Sequence, residues 1–279
     1  MDWRGGRQSS NVDDRRRSGF PGGGKGMGVV GLLMAVVVAW VTGDPRAIFS
    51  AIATPKSDTS APTAQEEELA AFARTVLGST EDVWKAELPR YGATYRDPTL
   101  VFFRGAVESA CGMAESAVGP FYCPGDEQVY LDLGFFDELD RKLGAPGDFA
   151  QAYVIAHEVG HHVQHLMGTD RKVREAQQSG DEAGANELSV RLELQADFYA
   201  GVWAHHADRA RKMIEAGDIE EALNAASQIG DDNLQRRSRG RVVPESFTHG
   251  TSEQRVRWFK LGLESGDLAR GDTFAAREL

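Results

Sequence analysis

Within VIAHEVGHHVQ, residues 154–164, His157 and His161 lie four apart and Glu158 follows the first of them. Four residues make about one helical turn, so both imidazoles share a face and can reach one ion. Glu158 then stands beside that ion without binding it, where a carboxylate can take a proton from water. This is the chemistry of zinc-dependent hydrolysis. The motif alone does not decide it, because a histidine-rich helix can meet the same spacing by chance. Its surroundings add weight: Val154, Ile155, Ala156, Val159, Gly160 and Val163 carry no charge, as a buried ligand helix demands. Gly160 in addition leaves room for another segment to approach closely.

A catalytic zinc of this type takes a third protein ligand and keeps one position open. An extended HExxHxxGxxH is excluded, since Gln164 and Met167 occupy the glycine and final histidine positions. His165 is a full turn beyond His161 and would compete with it for the ion, so His162 and His165 read as surface or packing residues. The third ligand is read in ELQAD, residues 193–197. Glu193 can face the metal, and Asp197, one turn later, can accept the N–H of a ligand histidine and fix its tautomer. The competing reading is a solvated acidic face. It is the weaker one, because Ala196, Phe198, Tyr199, Ala200 and Val202 make this end of the helix apolar, and acids embedded there need partners.

HEVGHHVQ followed by ELQADFYAGVWAHH resembles the gluzincin class, and specifically the bacterial putative neutral zinc metallopeptidase family. The likeness extends to ACGMAESAVGPFYCP, to VYLDLGFFDELDRKLGAPGDFAQAY, to PESFTHGTSEQRVRWFKLGLESGD and to the N-terminal WRGGRQSSNVDDRR. Phe198 stands where that family often has cysteine. The resemblance implies a zincin-like fold, Zn²⁺ held by His157, His161 and Glu193, Glu158 as general base and a peptide or protein substrate. It also suggests that EQVYLDL is an edge strand above the metal helix that pairs with substrate, the alternative being an ordinary core strand. His249, in FTHGTSEQRV, becomes a candidate oxyanion donor, the alternative being a capping role; Arg255 and Arg257 could serve instead or be solvated.

The rest of the chain must position these groups. Its 279 residues suffice for one substantial domain plus extras. The net charge of −11 is uneven: residues 1–26 carry about +3, leaving about −14 elsewhere. An acidic body argues against nucleic acid as a partner, since phosphate binding needs clustered Lys and Arg. Residues 1–26 read as a disordered basic arm on the cytoplasmic side. Residues 27–43, MGVVGLLMAVVVAWVTG, carry no charge and read as a single transmembrane anchor, with a cleaved signal peptide and a core helix as weaker alternatives. The positive-inside rule then puts the body outside the cytoplasm, as a single-pass protein of the cell membrane. Residues 44–65 read as a flexible tether and 66–279 as the metallopeptidase domain.

That domain is expected to be α+β and mostly helical, with a small β-sheet. Long helices are expected from Asp148, as N-cap, to Gly168 and over GANELSVRLELQADFYAGVWAHHAD. Short strands are expected in TYRDPTLVFFRG and EQVYLDLGFF. Cys111 and Cys123 bracket a short loop. Outside the cytoplasm they read as a disulfide in preference to buried thiols, and a metal site built from this pair alone lacks ligands. The functional expectation is a membrane-anchored zinc peptidase. Its rival is a non-catalytic envelope protein that binds a partner, with a structural or vestigial zinc site.

Overall fold

A computed structural model describes residues 1–18, 60–116, 119–179 and 182–279. The apolar stretch 27–43 expected to be the anchor lies outside the described residues, as does most of the tether. Among the described residues no helix is long and apolar enough to cross a membrane.

The described chain is mostly helical with a small sheet. A four-stranded sheet has the order β1–β2–β6–β5, with β1 at Val12–Asp14, β2 at Thr99–Phe103, β5 at Phe121–Cys123 and β6 at Gln128–Asp132. β1, β2 and β6 are parallel, and β5 runs antiparallel to β6. β3, Ala106–Ser109, and β4, Gly112–Glu115, form a separate hairpin. Side chains alternate along a strand, and in β2 both faces are buried. Leu100 and Phe102 enter the main core, whereas Val101 and Phe103 join Tyr130, Val107 and Cys123 in a smaller cluster. The EQVYLDL strand is therefore interior, flanked by β2 and β5, and cannot offer the substrate-pairing edge suggested for it. Among the described residues the edge strands of this sheet are β1 and β5.

The helices are α1 (Ala64–Glu87), α2 (Gly134–Arg141), α3 (Asp148–Met167), α4 (Asp170–Ser179), α5 (Glu182–Arg211), α6 (Asp218–Gln228), α7 (Asp231–Arg239) and α8 (Ser252–Ser265). α1 and α8 both begin with reciprocal capping boxes, Thr63 with Glu66 and Thr251 with Gln254. α1 thus starts inside the segment assigned to the tether. α3 ends at Gly168, whose φ of 73° suits a residue without Cβ. Its N-cap is Gly147 instead of Asp148. The Asp148 carboxylate is turned to the Met1 ammonium at 2.7 Å, which Asp218 also meets at 3.2 Å.

α3 and α5 carry HExxH and ELQAD through the core. Phe149, Tyr153, Val159 and Val163 of α3 pack with Phe198, Tyr199 and Trp203 of α5, each nearly or fully buried. A buried side chain of this size contributes roughly 1.5–3 kcal/mol of hydrophobic stabilisation. A Cβ on Gly160 would lie 3.0 Å from the Ala196 carbonyl oxygen, so this glycine sets the close approach of the two helices.

Residues 1–18 are not a disordered arm. β1 pairs with β2 in the register Val12↔Leu100, Asp13↔Val101 and Asp14↔Phe102. Arg16 is 2% exposed, bonded to Asp14 and Glu67 and lying over the Phe102 ring. The basic composition that suggested solvation finds its partners in the acidic body, so the folded domain contains residues 1–18 as well as those after the tether.

Candidate active site

His157 and His161 project from one face of α3, with ring centroids 4.8 Å apart and planes nearly perpendicular. Glu193 reaches both from α5: Nε2 of His157 is 3.1 Å from Oε2, and Nε2 of His161 is 3.4 Å from Oε1. One ligand atom from each of the three residues falls within 4.8 Å of the others. His157 is buried, while His161 and Glu193 keep some exposure, so the cluster is open on one side.

The other ring nitrogens decide what this cluster can hold. Nδ1 of His157 lies 2.8 Å from Asp197 Oδ1, and Nδ1 of His161 lies 2.8 Å from Gln164 Oε1. With Nδ1 of each ring bonded to an oxygen, Nε2 is the nitrogen that faces Glu193: protonated it donates to the carboxylate, and deprotonated it can bind an ion. Two imidazole nitrogens and a carboxylate, buried and oriented by outer partners, form a donor set that zinc fits. Gln164 also anchors to α5, donating to the Leu192 carbonyl at 2.7 Å.

Asp197 has no exposed surface. It accepts the Tyr153 hydroxyl at 2.5 Å and two bonds from Arg255, Nε at 2.8 Å and Nη2 at 2.9 Å. Burial pushes its carboxyl upward, but the Arg255 charge and His157 hold it below the ordinary aspartate value. Burial alone would lower His157; the charge and hydrogen bond of Asp197, with Glu193, outweigh it and lift the imidazole to about 10. Glu193 is likewise pushed up by burial and held well below its usual range by His161 and His157.

Glu158 is 8% exposed and adjoins both histidines. Burial raises its carboxyl above the ordinary glutamate value, against the pull of His161 and His157. The backbone amide of Tyr122 lies near it and, more weakly, also lowers it. Tyr122 is the middle residue of β5, so the edge of that strand not paired with β6 faces the cleft. The Cys111–Cys123 disulfide forms, with an S–S distance of 2.02 Å, and ties the end of β5 to the turn between β3 and β4.

His249 sits in the loop before α8 with its side chain half exposed. The backbone N–H groups of Thr248, His249 and Gly250 donate to Asp231 Oδ2 at 2.7, 2.6 and 3.2 Å. Nδ1 of His249 is 3.3 Å from Asp231 Oδ1. The bond to Asp231 raises the imidazole above its ordinary value against the effect of its partial burial, and the Glu193 charge adds to this. Arg255 is buried behind His157, so it supports Asp197 and does not face the cleft. Among the described residues Arg257 reaches the Leu279 carbonyl, at 3.3 Å. His162 is fully buried, 3.0 Å from the Tyr122 hydroxyl and 2.7 Å from the Arg96 carbonyl, and His165 pairs with Asp170. Neither joins the cluster.

Reading the sequence missed Tyr153, Gln164, Arg255 and Asp231 as supports of the site. Arg255 had a signal: with Trp258, Phe259 and Gly262 it occupies the buried face of α8 at helical spacing. Asp231 had none, because its role is created by a loop 17 to 19 residues further on.

An HExxH helix with a glutamate supplied by a second helix is the arrangement of gluzincin-type metallopeptidases. The chain belongs to the putative neutral zinc metallopeptidase family, whose model matches residues 1–274. It is 49% identical to the uncharacterized protein YpfJ of Escherichia coli K12 over 285 aligned positions, covering 98% of this chain and 99% of that one. It is 43% identical to the uncharacterized proteins Mb2605 of Mycobacterium bovis and Rv2575 of Mycobacterium tuberculosis, covering 72% of this chain and 69% of each of those. No solved structure matches.

Proposed function

We propose that the protein is a zinc-dependent peptidase that hydrolyses peptide bonds, with the metal held by His157, His161 and Glu193. Bound there, zinc would supply Lewis-acid polarisation of a carbonyl and make a water molecule more acidic. Glu158 takes the proton of the attacking water and passes it to the leaving amine. Its raised pKa, caused first by burial, brings it nearer the working range of a general base. His249, held at Nδ1 by Asp231, has Nε2 free to donate to the developing oxyanion. The free edge of β5 offers backbone groups to an extended peptide, which favours a peptide or protein substrate.

The observation that carries this reading is the buried Glu158 carboxylate beside the His157–His161–Glu193 cluster. A purely structural zinc site has no use for it. In the same proposal the catalytic domain lies outside the cytoplasm, in an oxidising compartment that keeps Cys111 and Cys123 bonded, and the apolar stretch 27–43 attaches it to the cell membrane. Replacing Glu158 by Gln tests the reading. Zinc content should stay at that of the wild type, while cleavage of a peptide library falls about 10²–10⁴-fold. A variant that cleaves as fast as wild type rules out the assignment, and zinc binding without cleavage by the wild type favours a non-catalytic binding protein.

A further inference from the structure

We propose that residues 1–18 and the body of the protein lie on the same side of any membrane the chain meets. Ser18 and Ser60, the described residues on either side of positions 19–59, then lie in one compartment. Four observations carry this, all on described residues.

The first is the sheet. β1 is paired with β2, and backbone bonds continue on either side of it: the Leu100 N–H donates to the Asn11 carbonyl at 2.9 Å and the Arg15 N–H to the Phe102 carbonyl at 2.8 Å. On opposite sides of a bilayer these bonds cannot exist, and β2 would be left as an open edge.

The second is Glu81, which is 1% exposed. Its carboxylate is bonded by Ser9 Oγ at 2.5 Å, Asn11 Nδ2 at 2.9 Å and Arg7 Nη2 at 2.8 Å. All three partners come from the N-terminal segment. Removing that segment would leave a buried charge without counter-charge or donors, an arrangement folded proteins avoid.

The third is Gly78, in the middle of α1. A Cβ there would lie 2.4 Å from the Arg7 carbonyl oxygen and 3.2 Å from the Ser9 N. The helix has a notch that residues 7–9 fill, and the Ser9 N–H closes the contact on the Arg74 carbonyl at 2.9 Å.

The fourth concerns the charges that suggested a cytoplasmic arm. Arg4 pairs with Glu68, Arg7 with Glu81 and Asp82, and Arg16 with Glu67 as well as Asp14. A positive-inside preference counts basic residues near a span, but here these arginines neutralise the acidic body.

The test uses the full chain in intact bacterial cells whose outer barrier has been opened. Ser10→Cys and Lys260→Cys, both at exposed positions, are treated separately with a membrane-impermeant maleimide before and after the inner membrane is broken. The expected result is one pattern for both sites, either labelled in intact cells or labelled only after lysis. Because labelling reads only the side, a second variant reads the contact. Arg4→Cys with Glu68→Cys, whose parents meet at 2.7 Å, is treated with a short membrane-permeant bis-maleimide and digested for mass spectrometry. A bridged peptide is expected within the monomer. Labelling of one site and protection of the other, or no bridged peptide, overturns the proposal.

Discussion

Arg255 and Asp197 form an ion pair with almost no exposed surface, and Tyr153 and His157 depend on it for their orientation. Such a pair owes its stability to complete satisfaction, since each charge has lost its water. Arg255→Met should therefore destabilise the fold by about 3–5 kcal/mol, because it leaves the Asp197 carboxylate uncompensated. Adding Asp197→Asn should recover part of that loss, as the charge itself is then gone. Urea unfolding of the wild type and both variants measures the two differences, and a single variant as stable as wild type contradicts this account. The cluster of His157, His161 and Glu193 was legible in the sequence because HExxH and ELQAD each place their groups on one helical face. Their supports were not. Arg255 lies 58 residues from Asp197, and only the packing of α8 against α5 makes them neighbours.

That packing is itself set by a reciprocal pair of glycines. A Cβ on Gly262 would lie 2.0 Å from the Phe198 carbonyl oxygen, and one on Gly201 would lie 2.1 Å from that of Phe259. The two backbones thus touch at one crossing, a turn or two from Asp197 and Arg255. Gly262→Ala should force the helices apart and lower stability by about 1–3 kcal/mol, read as a drop in the thermal midpoint. Zinc affinity should weaken with it, because Arg255 travels on the displaced helix; an unchanged midpoint would show that the crossing has slack. The C-terminal end of α3 could be read from the sequence, since Gly168 after an apolar run is a local signal. The crossing could not, because a glycine inside a helical pattern reads as a weak point until its neighbour is known. β5 was missed for a related reason. Three residues show no alternation to count, and only pairing with β6 and the disulfide make them a strand.

For the whole molecule, the N-terminal strand is where composition misled. A basic, glycine-rich segment has too little apolar surface to fold alone, but the acidic body and the open edge of β2 supply what it lacks. Asp14 is held below its ordinary value of 3.8 first by its hydrogen bond to Arg16. A depressed carboxyl contributes stability in full above its unfolded value and loses it as pH falls through the lower folded value. The protein should therefore lose stability below pH 3.8 as Asp14 protonates and its hold on Arg16 is released. The urea midpoint at pH 5 and at pH 3, compared with that of Asp14→Asn, isolates the effect. The same acid loss in both proteins would remove Asp14 as its source. The pairing of Val12 with Leu100 also has a consequence for synthesis. β1 leaves the ribosome before its partner strand, which follows 88 residues later, and Asp148 and Asp218, the acids that hold Met1, come later still. These early residues thus wait for partners made later, and a nascent chain halted before β2 has no sheet for them to join.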